Sequence, residues 1–82
     1  MPCIDTPTKR VEFRATEDRK GRPAVRRIVY RVNAYGYSEL DSSILTAERL
    51  ESAQSAKREA KRQATSWAKW ARMEWPGQVE VY

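Results

Sequence analysis

Alanine recurs at helical spacing through the segment that ends at Pro76-Gly77, and a helix face made mostly of alanine can be buried only against a layer that supplies the missing bulk. Stepping about 100° per residue, Ala53, Ala60, Ala64, Trp67, Ala71 and Trp75 fall within roughly one quadrant, with Leu50 and Ala68 at its margin. Trp67 and Trp75 are therefore expected to face the core. Trp70 lies about 60° outside the stripe and is expected at its boundary or on the surface. Alanine, Glu, Lys, Arg and Gln give the segment strong helix propensity, Thr46 offers an N-cap with Glu48 and Glu51 in the first turns, and Pro76-Gly77 supplies the stop. The reading is one helix over 46–75. At 1.5 Å per residue its continuous stretch from Ala47 to Glu74 would run about 42 Å, longer than the roughly 30 Å expected of a globule this size. Either it breaks near Ser52 to Ser55, or one end overhangs and docks on a second copy, as in a homodimer, or on another protein.

The bulk must come from strands. From Lys9 to Thr16 the chain alternates, with Val11, Phe13 and Ala15 on one face and Arg10, Glu12, Arg14 and Thr16 on the other. The charged segment 17–23, with Gly21 and Pro23, is turn chemistry. A second strand over 25–37 then places Ile28, Tyr30, Val32 and Ala34 on the core side and Arg27, Val29, Arg31, Asn33, Tyr35 and Tyr37 outward, completing a hairpin over 9–37. Residues 1–8, with two prolines, read as an irregular lead-in, 39–46 as an acidic, serine-containing connector, and 78–82 as a short last strand. The expected fold is α+β: one domain over 1–82, a small antiparallel sheet in ββαβ order with one long helix packed on one face.

Composition narrows the function. The net charge is +5, a balance that favours polyanions such as nucleic acid or the acidic surface of a protein partner. Histidine is absent and there is one cysteine, Cys3, so the usual general base, a Cys/His zinc site and an internal disulfide are all excluded. The three glycines form no phosphate-cradling loop. The longest aliphatic or aromatic run is Ile28-Val29-Tyr30, too short for a membrane span. A non-enzymatic, cofactor-free cytoplasmic protein is expected.

Two basic surfaces are candidates for binding. Arg58, Lys61, Arg62, Lys69 and Arg72 cluster opposite the alanine stripe. The like-charged i,i+4 pairs Arg58/Arg62 and Lys57/Lys61 cost the helix a few tenths of a kcal/mol each, so helix stability does not explain the pattern. The outward sheet face is the rival, combining Arg10, Arg14, Arg27 and Arg31 with Tyr35 and Tyr37, guanidinium groups for phosphates and rings for unpaired bases. Trp70 stands beside the helical ridge.

A basic sheet face against one helix resembles the arm-binding modules of phage-type integrases, which place three strands before the helix where this sequence reads as two. The compact basic outline is also similar in style to small phage proteins that inhibit bacterial defence complexes, including anti-CRISPR proteins. These resemblances imply contact with nucleic acid or a nucleoprotein complex, or alternatively inhibition or adaptor binding through a protein surface.

Overall fold

In the computed structural model, which describes residues 2–45 and 50–82, the bulk opposite the alanines comes from Ile4, Val11, Phe13 and Val25. These four are the largest fully buried side chains, and Ala60, Ala64 and Ala68 close the cluster from the other side. The elements are β1 (Cys3–Asp5), β2 (Lys9–Glu17), β3 (Pro23–Asn33), β4 (Gly36–Leu45), α1 (Ala53–Glu74) and β5 (Glu80–Val81). All strand pairings are antiparallel, in the order β4-β3-β2-β1-β5, and α1 packs on one face. The fold is α+β, as the alternation and the alanine stripe require.

Two strands lie where the sequence reads as irregular. The lead-in contains β1: Ile4 is fully buried, and a strand of three residues between Pro2 and Pro7 is too short to show alternation. A tight turn returns it to β2, with the Thr6 amide donating to the Lys9 carbonyl (2.8 Å) and the Lys9 amide donating to Thr6 Oγ1 (3.0 Å). The acidic connector forms most of β4. As an edge strand exposed along nearly all its length, β4 has no apolar face for alternation to report. The second expected strand is really two, because the chain reverses at Ala34-Tyr35. There Asn33 accepts from the Tyr35 amide (2.9 Å), donates to Ser38 Oγ (3.0 Å), and is followed by Gly36 at φ 125°. Four strands thus precede α1, three of them long, where the sequence reads as two.

Register overturns the expected faces of β3. Val11 lies opposite Val29, Phe13 opposite Arg27 and Ala15 opposite Val25, so the helix side of β3 carries Val25, Arg27, Val29 and Arg31. The outer side carries Arg26, Ile28, Tyr30 and Val32. Each series holds apolar residues, so alternation alone does not choose between them. Pairing Glu17 with Pro23 across the turn at 18–22 fixes the choice. That turn is held by Asp18, whose carboxylate accepts from the Lys20 and Arg22 amides and from Arg22 Nε, each at 2.9 Å.

The helix starts later than the propensity suggests. Ser52, in extended backbone conformation, accepts from the Ser55 amide (3.2 Å) and caps it. Thr46 and Glu48, the expected cap and first-turn acid, lie outside the described residues. A helix of 22 residues spans about 33 Å, within the 37 Å long axis of the molecule, so the described helix fits without an overhang. Its buried ladder is Ala56, Ala60, Ala64, Ala68 and Ala71, centred on the expected stripe; Ala53, the first helical residue, is exposed although it lies at the same angle as Ala71. Trp67 packs half-buried against the core. Trp75 is the C-cap and not a residue of the helix face, so the wheel does not place it; half-buried, it meets Trp70 edge-on at 6.2 Å.

Ala60 and Ala64 meet this core at 1% and 2% exposure. Ala60→Leu or Ala64→Leu should overpack it and lower stability by about 1–3 kcal/mol. For a domain of this size that is a drop in melting temperature of at least about 4 °C, measurable by thermal unfolding; an unchanged midpoint would show that the helix does not sit this close.

Candidate functional site

On the outer sheet face, β1 and β2 bring Asp5, Arg10, Glu12 and Arg14 together, and β3 and β4 add Tyr30 and Tyr37. Arg10 Nε lies 3.6 Å from both Asp5 and Glu12, with its guanidinium 5.1 Å from the centre of the Tyr37 ring. Arg14 donates to Glu12 Oε2 at 2.9 Å, and the Tyr30 hydroxyl approaches the same oxygen at 3.4 Å. Burial, and secondarily the Glu12 carboxylate, pushes the Tyr30 hydroxyl above its ordinary range. Glu12 itself is buried, as are Cys3, Ala24 and Ile28. No second layer covers this face among the described residues, so the face's own longer side chains shield them. Cys3, expected in an irregular terminus, is a buried strand residue, and burial pushes its thiol pKa up, away from the nucleophilic thiolate.

The composite sheet site expected from sequence is therefore divided. Arg10, Arg14 and Tyr37 share the outer face, but the arginines are engaged by acids. Arg27 and Arg31 are on the helix side, because Arg27 pairs with Phe13 and Arg31 with Lys9. Tyr35 is fully exposed at the β3–β4 turn, away from the paired rows. Tyr30, which meets Glu12 on the outer face, drops out of a reading that assigns β3 the opposite parity.

The helical surface keeps its charge. Arg58, Lys61, Arg62, Lys69 and Arg72 are all exposed, as is Lys57. Arg62 is engaged by Glu59, donating from both Nε and a terminal nitrogen and holding the Glu59 carboxyl below its usual range. Lys57, Arg58, Lys61, Lys69 and Arg72 form no ion pair among the described residues. From Lys57 to Arg72 the ridge runs about 22 Å along the helix axis.

Strand lengths shape the flank of this ridge. β1 pairs with β2 only as far as Glu12, and the last bond on that edge is from the Phe13 amide to the Pro2 carbonyl (3.0 Å). Beyond it the edge of β2 has no strand partner among the described residues, and a groove of about 570 Å³ lies between this edge and the helix, lined by Pro2, Phe13, Arg14, Ala15, Lys57, Ala60 and Lys61. Three cations thus surround an apolar floor. Lys57 was not among the residues singled out from sequence, although its i,i+4 relation to Lys61 was visible there.

Among the described residues no group of three or more His, Cys, Asp or Glu side chains could hold a metal ion, and no helix is long and apolar enough to cross a membrane. Chemically, the arrangement can attract and hold anionic groups along a line. In comparisons with known proteins, no family model matches the chain, and neither a curated protein nor a solved structure matches it.

Proposed function

We propose that this chain is a non-enzymatic binding protein whose ligand is nucleic acid, or nucleic acid carried in a nucleoprotein complex, held by the solvent face of α1 and the groove beside it. One contrast carries the reading: five helical cations stand in solvent without an ion pair among the described residues, while the sheet-face arginines Arg10 and Arg14 are engaged by Asp5 and Glu12. Like-charged neighbours at i,i+4 tax the helix, and a polyanion relieves that cost. A cytoplasmic location goes with this proposal and suits the lone cysteine.

Salt tests this directly. If all five cations release counterions, log K should fall linearly with log salt at a slope of about −3.5 on single strands or −4.5 on duplex, read by fluorescence anisotropy of a labelled oligonucleotide. No binding at low salt overturns the proposal.

A protein inhibitor or adaptor of the anti-CRISPR kind, docking on an acidic partner, is the second reading. It is favoured by the open edge β4, where Tyr37, Leu40 and Ile44 are exposed. A partner that copurifies stoichiometrically after nuclease treatment would select it.

A further inference from the structure

Trp70 is 48% exposed, unusual for so large an apolar ring on a well-formed helix, and it is not loose. Trp67 lies 5.5 Å away, tilted at 57°, and Trp75 lies 6.2 Å away, edge-on at 86°, so two half-buried indoles fix the third in orientation while leaving half of it in water.

The helix and the sheet each bring cations to this end of the molecule, with Glu74 one turn on along the flank of Trp70. Lys61, Ala64 and Thr65 line a groove with Val81 and Tyr82, so that flank of α1 faces the β1–β5 edge, and the opposite flank, with Trp70, faces β3. The amino-terminal half of α1 lies against Ala15, and its carboxy-terminal end leads to Gly77 and Gln78 beside Asp5 and Thr6, so α1 finishes at the Lys9 end of β2. There the cross-strand pair Lys9–Arg31 lies on the helix side of the sheet, both residues exposed. Lys69, next to Trp70, supplies cationic charge from the helix.

The geometry points to a narrower ligand: a single-stranded nucleic acid, one of whose unpaired bases stacks on Trp70 while its phosphates follow Lys69, Lys9 and Arg31. This rests on the polyanion reading above and adds the strandedness of the ligand. A fixed, half-exposed indole beside backbone-binding cations is the combination that single-strand binders use, and it is tolerant of base identity because every base has a stacking face. A duplex hides those faces. An anionic membrane surface would be met by a broader apolar face than one indole and the exposed Met73 provide, since the alanine ladder is buried in the core.

The test compares a labelled 12-nucleotide oligothymidylate with a 12-base-pair duplex at low salt, for wild type, Trp70→Ala and Trp70→Phe, each first shown folded by its melting curve. Trp70→Ala should weaken single-strand binding about tenfold or more and duplex binding less than about twofold, with Trp70→Phe retaining most of the affinity because a stacking ring remains. An unchanged single-strand affinity in Trp70→Ala, or an equal loss on both substrates, overturns the stacking proposal and leaves the polyanion reading intact. Failure of wild type to bind either oligonucleotide removes both. Trp70-dependent binding to phosphatidylserine vesicles without oligonucleotide binding assigns the indole to a membrane surface and also overturns it.

Discussion

Phe13→Ala should lower the stability of this domain by about 3–5 kcal/mol. Phe13 is among the largest fully buried side chains and is 2% exposed. The helix residues in its core cluster are Ala60, Ala64 and Ala68, which have no side-chain length with which to refill the space. A cavity left against alanine stays open, and the adjoining groove, lined by Phe13 itself, would let water reach it. At roughly 0.05–0.15 kcal/mol per residue, 82 residues hold about 4–12 kcal/mol in total. The substitution should therefore remove at least about a quarter of the total, and at the lower end of that range it brings the variant to its unfolding midpoint at room temperature. Urea unfolding followed by far-ultraviolet circular dichroism measures the loss, with Phe13→Leu as a control that should cost less. A loss below about 1 kcal/mol for the alanine variant would mean that the alanine ladder packs on something other than this ring.

That same ladder shows why some of the fold could be read from sequence. Alanine at helical spacing, the alternation of Val11 and Phe13, and the turn chemistry of Asp18 to Gly21 each have a local cause that the structure keeps. What was hidden depends on pairing. β1 is short and owes its burial to neighbours on both sides, β2 and β5. β4 is exposed, so no hydrophobic period marks it, and a bulge opposite Val29–Tyr30 leaves Leu40 without a partner and shifts what period there is. The faces of β3 turned on a register that swaps every side chain when it slips by one residue. Arg27 and Arg31 moved to the helix side for that reason, and Tyr30 moved out beside Arg10 and Glu12. The helical ridge survived because its placement depends only on the helical period and on which face is buried. Widening the buried stripe on both sides to Ala56 and Ala68 still leaves Arg58, Lys61, Lys69 and Arg72 in solvent.

Because those cations share one face, reversing three of them should abolish binding where reversing a cation of the outer sheet face would not. Arg58→Glu, Lys61→Glu and Lys69→Glu together take the net charge from +5 to −1, each reversal subtracting two. They remove three of the five helical cations that form no ion pair among the described residues and set carboxylates against the phosphates. Oligonucleotide affinity at about 50 mM salt should fall at least about a hundredfold, and the salt slope of any residual binding should be shallower by about 2–3. Folding should survive, since all three positions are exposed, where substitutions usually change stability by less than about 0.5 kcal/mol. Arg58→Glu even replaces a like-charged i,i+4 neighbour of Arg62 with an opposite one in the favourable orientation. The comparison is Arg26→Glu on the outer sheet face, where Arg26 donates to Ser42 Oγ at 3.0 Å; it should weaken binding only about threefold or less, the share owed to net charge alone. If that single reversal costs as much as the helical triple, the phosphates lie on the sheet, and the engaged arginines Arg10 and Arg14 must exchange Asp5 and Glu12 for the ligand when it binds.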